Sequence, residues 1–231
     1  MTTTLNDMRL ALLGGPKTID RSFKRYNSIG PEETEAAKQV VESGVLSQFI
    51  GAWDPDFYGG PKVKEFERKC ESHFGVKHAI TVNSWTSGLI AAVGAIGIEP
   101  GDEVIVTPFT MCASATAILH WNAIPVFADI EPDTFCLDPK SVEANITPFT
   151  KAIMVVDIFG HSANMDALME IAYRHKLKVI TDTAQAPGAM YKGRYAGTLS
   201  HVGGFSLKLS ATTRPGFTRR WFNDDGNRIA D

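Results

Sequence analysis

Four short runs of apolar, largely β-branched residues decide the fold of this chain. They are EVIVTP (103–108), IPVFADI (124–130), KAIMVVDIFG (151–160) and KVITDTA (178–184). Segments with helical spacing, such as 111–122 and 165–175, separate them. Near-continuous apolar strands that alternate with helices are typical of a parallel sheet covered on both faces. The sequence therefore predicts one α/β domain with three layers (α/β/α) and a mostly parallel central sheet.

The same alternation extends toward the N-terminus. The run HAITVN (78–83) predicts a further strand, and residues 85–97 predict the helix that follows it. Two earlier helices are predicted over 31–44 and 61–74, because each begins with a proline and ends at a glycine. On the C-terminal side, GTLSHVG (197–203) is interpreted as a turn segment.

Composition narrows the class of protein. The chain has 231 residues, of which 44% are hydrophobic and 21% charged, and its formal net charge is -3. This balance is ordinary for a globular domain and gives no electrostatic reason to expect a nucleic acid or an anionic membrane as partner. Three arginines near the end (214, 219 and 220) are interpreted as a solvated segment.

The cysteines and the N-terminal residues are used to predict the cellular compartment of the protein. Cys70, Cys112 and Cys136 are odd in number and form no CxxC pair, so neither a disulfide framework nor a zinc site is predicted. Cys112 is interpreted as a small buried hydrophobe rather than as a nucleophile. The first twenty residues lack a basic start, and their apolar run LALL is too short for a signal peptide or a membrane span. We expect a cytoplasmic protein.

Ligands of parallel α/β sheets bind outside the carboxyl ends of the strands. Ser84 and Thr86 follow the predicted strand 78–83 at the start of a helix, where hydroxyls and free N–H groups suit a phosphate. An N-cap role explains either residue equally well. Ser206 follows the later turn segment. It is either a hydrogen-bond donor to the phosphate or an ordinary loop residue, and its position alone does not distinguish the two.

Asp182 lies near the end of the last of the four runs, and Gln185 follows three positions later. A carboxylate at the end of an apolar strand is partly desolvated and favours a cationic partner. A protonated pyridine nitrogen is one such partner, and the pairing would preserve the electron-sink character of pyridoxal phosphate (PLP). A magnesium ligand and a structural cap of the next turn are the alternatives.

Together these segments resemble the DegT/StrS-type PLP-dependent sugar aminotransferases, which have the aspartate aminotransferase fold (fold type I). The resemblance runs from about residue 30 to residue 206. Five blocks carry it: 59–84, 97–110, 123–139, 146–160 and 179–206. The last block is the most specific, because it joins the pattern D-x-A-Q-A-x-G-A-x-Y-x-G-R to a later G-x-F-S.

The resemblance implies roles at matching positions. Asp182 would pair with the pyridine nitrogen, and Gln185 would lie against the ring near its phenolic oxygen. Thr86, with the backbone of Ser84 and Trp85, and Ser206 would hold the phosphate. Where the family usually stacks an aromatic side chain on the ring this chain has Met111, and Trp85 stands where a small residue is common.

The lysine that holds the cofactor covalently is not identifiable. The resemblance places it five positions after Ser206, at Ala211, and Lys208 is a weak candidate only two positions on. Residues 207–222 do not follow the family pattern, whereas NDDGNRIAD (223–231) looks like it again. A compensated reading-frame slip would leave such a patch, and divergence is the alternative.

The resemblance also implies domains, activity and partners. Residues 1–30 would be an N-terminal arm, and 31–231 the PLP-binding large domain, truncated before the C-terminal small domain. The implied reaction transfers an amino group from glutamate or glutamine to a nucleotide-linked keto sugar or a keto cyclitol. The implied assembly is a homodimer with a shared active site. A lysine-lacking, dehydratase-like relative that binds PLP or pyridoxamine phosphate (PMP), and an inactive fragment, are the alternatives.

Overall fold

The computed structural model describes residues 10–22 and 29–207, and parallel pairing organises them around one five-stranded sheet. The strands in chain order are β1 Glu103–Val106, β2 Ile124–Phe127, β3 Thr150–Val156, β4 Lys178–Asp182, β5 Met190–Tyr191, β6 Arg194–Tyr195 and β7 Val202–Gly204. The large sheet has the order β2-β1-β3-β4-β7, and every pairing in it is parallel. The other two strands, β5 and β6, form an antiparallel hairpin. The predicted α/β class and parallel sheet are confirmed.

Six α-helices accompany the strands in the described ranges. They are α1 Pro31–Ser43, α2 Pro61–Phe74, α3 Trp85–Ala95, α4 Ala113–Leu119, α5 Pro139–Ala144 and α6 Met165–His175, with one-turn 3-10 helices at Ala11–Leu13 and Pro55–Tyr58. The predicted ends of α1 and α2 are confirmed, because Gly44 and Gly75 adopt left-handed φ values of 70° and 64° at the C-caps. None of the helices in the described ranges has both the length and the apolar character of a membrane span.

The side chains of β3 show why the domain has three layers. Ala152 and Met154 point into the cluster that α3 and α4 cover, whereas Ile153 and Val155 point into the cluster under α5 and α6. This alternation follows from the two-residue period of a strand. All four residues are fully buried, so both faces of the sheet are covered and the three-layer prediction is confirmed.

The strand predicted at residues 78–83 is not formed. The backbone N–H groups of Ala79 and Thr81 donate to the carboxylates of Glu71 and Glu67 on α2, at 3.3 and 2.8 Å. No strand in the described part of the chain pairs with this segment, and Ile80 is 83% exposed. The prediction was wrong because β propensity reflects the packing surroundings of a segment, and a run of suitable residues still requires a partner strand.

Three strands of the described residues were missed by the sequence analysis, and one cysteine was misplaced. The segment 197–203 was interpreted as a turn, but its last two residues belong to β7, which pairs with the end of β4 through Ile180 and Val202. The hairpin β5–β6 was not predicted. Cys112 is exposed rather than buried, because it lies at the N-cap of α4 outside both core clusters.

Candidate active site

The carboxyl end of β4 carries a buried carboxylate with three hydrogen-bond donors. Asp182 is 5% exposed. Its Oδ1 accepts from Trp85 Nε1 at 2.7 Å and from the backbone N–H of Ala184 at 3.2 Å. Its Oδ2 accepts from Ser114 Oγ at 2.7 Å. These bonds join the end of β4 to the first residue of α3 and the first turn of α4.

Trp85 brings a third element to the same place. Its indole ring lies against β7, where a Cβ built on Gly204 would be 2.2 Å from Trp85 Cη2. Gly204 in turn accepts a hydrogen bond from the N–H of Thr183 at 3.1 Å. The ends of β4 and β7 and the N-terminus of α3 therefore all lie next to the Trp85 indole ring.

Each residue singled out in the sequence can now be located. Ser84 is the N-cap of α3, and its Oγ accepts from the N–H of Ser87 at 3.2 Å, so the capping alternative is realised. Thr86 is exposed in the first turn of the same helix. Ser206 lies two residues beyond Gly204. The ends of β4 and β7 and the start of α3 thus lie together, and the phosphate-binding roles of Thr86 and Ser206 stay predictions.

The two positions predicted to lie on the faces of the cofactor ring differ in exposure. Met111 is 65% exposed and lies three residues before Ser114, whose N–H donates to its carbonyl oxygen at 3.2 Å. Gln185 is half-buried, and its carbonyl oxygen accepts from the N–H of Gly160 at 3.1 Å. Gln185 follows Asp182 by three residues in the chain. Lys208 and Ala211 lie outside the described residues.

A second buried carboxylate lies behind the first. Asp157, which is fully buried, accepts from the N–H of Ala163 at 2.9 Å and from Thr183 Oγ1 at 2.8 Å. Burial raises the pKa of Asp157 to about 6, and the nearby Asp182 carboxylate adds to the rise, whereas the two hydrogen bonds oppose it. The sequence analysis missed Asp157, although its position directly after an apolar strand matches that of Asp182.

The titration of Asp157 predicts a pH-dependent stability. Its pKa in the folded protein lies above the value of about 3.9 in an unfolded chain, so the folded state holds the proton to a higher pH. The free energy of unfolding should therefore fall as the pH rises from about 4 to about 6 and level off above that, by at most about 3 kcal/mol. Asp157→Asn should remove this fall, because an amide has no proton to lose.

Urea unfolding at several pH values checks the prediction. As the pH rises from 4 to 7, Asp157→Asn should become more stable relative to the unchanged protein, because only the unchanged protein loses unfolding free energy over this range. Asp133→Asn, at an exposed position, is the control and should show no such shift. A pH-independent difference for Asp157→Asn would show that Asp157 does not titrate in this window.

Three exposed phenylalanines, also missed by the sequence analysis, form a cluster of aromatic rings. Phe109, Phe135 and Phe159 follow β1, β2 and β3, and their ring centroids lie 5.7 to 6.3 Å apart. Phe135 and Phe159 have positive φ values of 60° and 54°. Non-glycine residues with such φ values are uncommon and concentrate at functional sites. No sequence signal distinguished these phenylalanines from core residues.

The donor groups around Asp182 favour one of the ligand classes left open by the sequence, and the bond from Ala184 also matches the capping alternative. All three groups that contact the carboxylate donate hydrogen bonds, whereas a magnesium site requires several oxygen acceptors. No cluster of three or more histidine, cysteine or acidic side chains suited to a metal occurs within residues 10–22 and 29–207. The residues present fit an organic cation held against Asp182, with an anionic group near the N-terminus of α3.

Comparison with known proteins identifies the family. The family model of the DegT/DnrJ/EryC1/StrS aminotransferases matches residues 28–210. The chain belongs to this aminotransferase family.

Individual relatives agree with the assignment. The chain is 42% identical over 203 residues to the spore coat polysaccharide biosynthesis protein SpsC of Bacillus subtilis (strain 168). The aligned region covers 88% of this chain and 49% of the relative. It is 44% identical over 215 residues to an L-glutamine:2-deoxy-scyllo-inosose aminotransferase of Streptomyces kanamyceticus, covering 92% and 49%. The chain thus spans about half the length of the curated relatives that it matches.

A solved structure extends the similarity to three dimensions. NtdA from Bacillus subtilis, determined with bound cofactor PMP, superposes with a TM-score of 0.65 at 30% identity and covers 77% of this chain and 41% of its own. The predicted membership of the aminotransferase family and its fold are therefore confirmed.

Proposed function

We propose that this aminotransferase-family domain binds a vitamin B6 phosphate at the carboxyl end of β4. The proposed reaction transfers an amino group from glutamine or glutamate to a keto sugar or a keto cyclitol. The observation that carries the proposal is the buried Asp182 carboxylate, which three donors hold at the edge where α3 begins. The family assignment and the relative named for glutamine-dependent amination of a cyclitol support the substrate class.

The residues of this chain would divide the binding task. Asp182 would accept a hydrogen bond from the ring nitrogen and keep that nitrogen protonated. The N-terminus of α3 with Thr86, and Ser206 after β7, would receive the phosphate, since free N–H groups and the positive end of a helix favour an anion. Met111 and Gln185 would contact the ring. When bound, the pyridine ring supplies an electron sink for the amino transfer.

The other parts of the proposal rest on the family resemblance, except the compartment, which rests on the cysteine pattern and the N-terminal residues. We propose a homodimer with a shared active site in the cytoplasm, with residues 1–30 as an arm and 31–231 as the cofactor-binding domain. The substrate is proposed to be either nucleotide-linked or a free cyclitol. Covalent attachment of the cofactor would require a lysine, for which Lys208 is a weak candidate because Ala211 stands at the expected position.

Two measurements test the proposed function. The protein is first titrated with PMP and with PLP, followed by borohydride reduction and peptide mapping. We expect micromolar binding of PMP, and a modified peptide containing Lys208 would identify a covalent site. The protein loaded with PMP is then mixed with 2-deoxy-scyllo-inosose, and mass spectrometry should detect the corresponding amine.

The outcomes separate the alternatives. Binding of PMP with formation of the amine supports the aminotransferase proposal. Binding without a modified lysine and without the amine would favour the lysine-lacking, dehydratase-like relative. Absence of binding at millimolar PMP would contradict the proposal and leave the inactive fragment.

A further inference from the structure

Two tryptophans use helix α3 in the same way but donate to different acceptors. Trp85 Nε1 donates to Asp182 Oδ1, and Trp121 Nε1 donates to the carbonyl oxygen of Ile90, both at 2.7 Å. Each ring occupies the space left by a glycine of α3. A Cβ on Gly88 would be 2.4 Å from Trp85 Cε3, and one on Gly94 would be 2.0 Å from Trp121 Cζ2. The two indoles donate to different acceptors, a carboxylate for Trp85 on α3 and a backbone carbonyl oxygen of α3 for Trp121, which lies after α4.

The indole ring of Trp85 is accommodated by glycines on two sides. Besides Gly88 on its own helix, Gly204 at the end of β7 leaves room for the ring. The indole also packs against the core cluster that includes Leu89 and Ile180. Contacts on both sides fix the direction of the indole N–H, so the hydrogen bond to Asp182 is held by the packing of three elements rather than by one flexible side chain.

Counting lone pairs shows what this bond does to Asp182. Each oxygen of a carboxylate has two acceptor positions. Oδ1 uses both, for Trp85 Nε1 and the N–H of Ala184. Within the described part of the chain, Oδ2 accepts one bond, from Ser114 Oγ. One acceptor position therefore remains on the carboxylate, and it is on Oδ2.

We propose that Trp85 is a positioning residue for the cofactor nitrogen, an inference that rests on the proposed function. Its indole N–H saturates Oδ1 and sets the plane of the carboxylate, so that the remaining lone pair of Oδ2 receives the ring N–H. Ser114, which is itself within 3.0 Å of Thr110 Oγ1, holds the second oxygen from the opposite side. The indole and the cofactor ring then occupy different positions on the same carboxylate and bind together.

Trp85→Phe tests this, because phenylalanine keeps an aromatic ring between the two glycines and lacks the N–H. Isothermal titration with PMP should show affinity reduced about tenfold, since a hydrogen bond to a charged group is lost and the carboxylate can rotate. Trp121→Phe is the matched control. It removes an indole hydrogen bond of equal length whose acceptor lies on α3, and its affinity for PMP should stay within twofold of the unchanged protein.

A second probe makes the test specific for the ring nitrogen. An analogue of PMP with a C–H group in place of that nitrogen cannot donate to Oδ2. Trp85→Phe should bind this analogue as well as the unchanged protein does, so that the tenfold loss is confined to PMP. A loss of equal size for both probes would overturn the proposal in favour of general damage to the site.

In the unchanged protein, the NMR resonance of the Trp85 indole N–H tests the same proposal. This measurement does not depend on how the variant folds. On addition of PMP the N–H should remain a single hydrogen-bonded resonance with slow solvent exchange. Release of this N–H to solvent, or tighter binding of PMP by Trp85→Phe, would mean that the indole blocks the ring position and would overturn the proposal. If the unchanged protein does not bind PMP, the proposed function itself fails. Equal binding by the unchanged protein and Trp85→Phe contradicts only the role of Trp85.

Discussion

Replacing Asp182 by asparagine is expected to weaken the binding of PMP about 100-fold, because the amide cannot balance the charge of a protonated ring nitrogen. Truncating one partner of a buried, hydrogen-bonded charge pair costs about 2 to 5 kcal/mol, and a factor of 100 lies at the lower end of that range. The asparagine oxygen can still accept from Trp85, and its amide can donate to Ser114 Oγ, so the neighbouring donors keep their partners.

Isothermal titration with PMP and urea unfolding should be measured on the same variant. Asp138→Asn is the matched control, since it removes the same charge at the N-cap of α5, where asparagine caps as well as aspartate does. We expect that control to bind PMP as the unchanged protein does. Equal affinity for Asp182→Asn would show that the carboxylate does not face the ring, and the proposed site would have to be abandoned.

Replacing Gly203 by alanine is expected to destabilise the protein by about 3 kcal/mol or more, because overpacking against backbone cannot be relieved by a side-chain rotation. A Cβ at this position would be 1.9 Å from the carbonyl oxygen of Gly197 and 2.8 Å from its carbonyl carbon. Gly197 is itself held at a φ of 82°. The close approach of this turn to β7 therefore depends on a residue without a side chain.

Urea unfolding followed by circular dichroism measures the effect. Gly51→Ala is the control, because a Cβ there has no neighbour within 4 Å and the residue has no left-handed φ. Its unfolding free energy should change by less than about 1 kcal/mol. If Gly203→Ala were as stable as Gly51→Ala, that result would contradict the close packing of the turn at Gly197 against β7.

Local patterns were sufficient for the elements with a strong period. The helix α6 was predicted with its observed ends, Met165 and His175. The strands β1 and β4 lie within the apolar runs 103–108 and 178–184, and β3 begins one residue before the run 151–160. These elements bury apolar side chains in the interior, so their hydrophobic spacing is visible in the sequence.

The elements that were missed or wrongly predicted depend on neighbours instead. The strand β7 has the sequence VGG, which has no strand signal, and it is a strand because it pairs with β4. Residues 78–83 have a strand signal without a partner in the described residues, and two of their N–H groups donate to glutamates of α2. Pairing is a property of two segments, so one segment alone cannot reveal it.

The sequence by itself determined the alternation of strands and helices and the presence of an acidic side chain where an apolar strand ends. It also carried the motifs by which the family was identified. Only the tertiary structure decided which groups hold that carboxylate. Trp85 and Ser114 lie 97 and 68 residues before Asp182 in the chain. Periodicity and motifs report on neighbours along the chain, whereas parallel strands bring their carboxyl ends, and the helices that begin there, to one edge of the sheet.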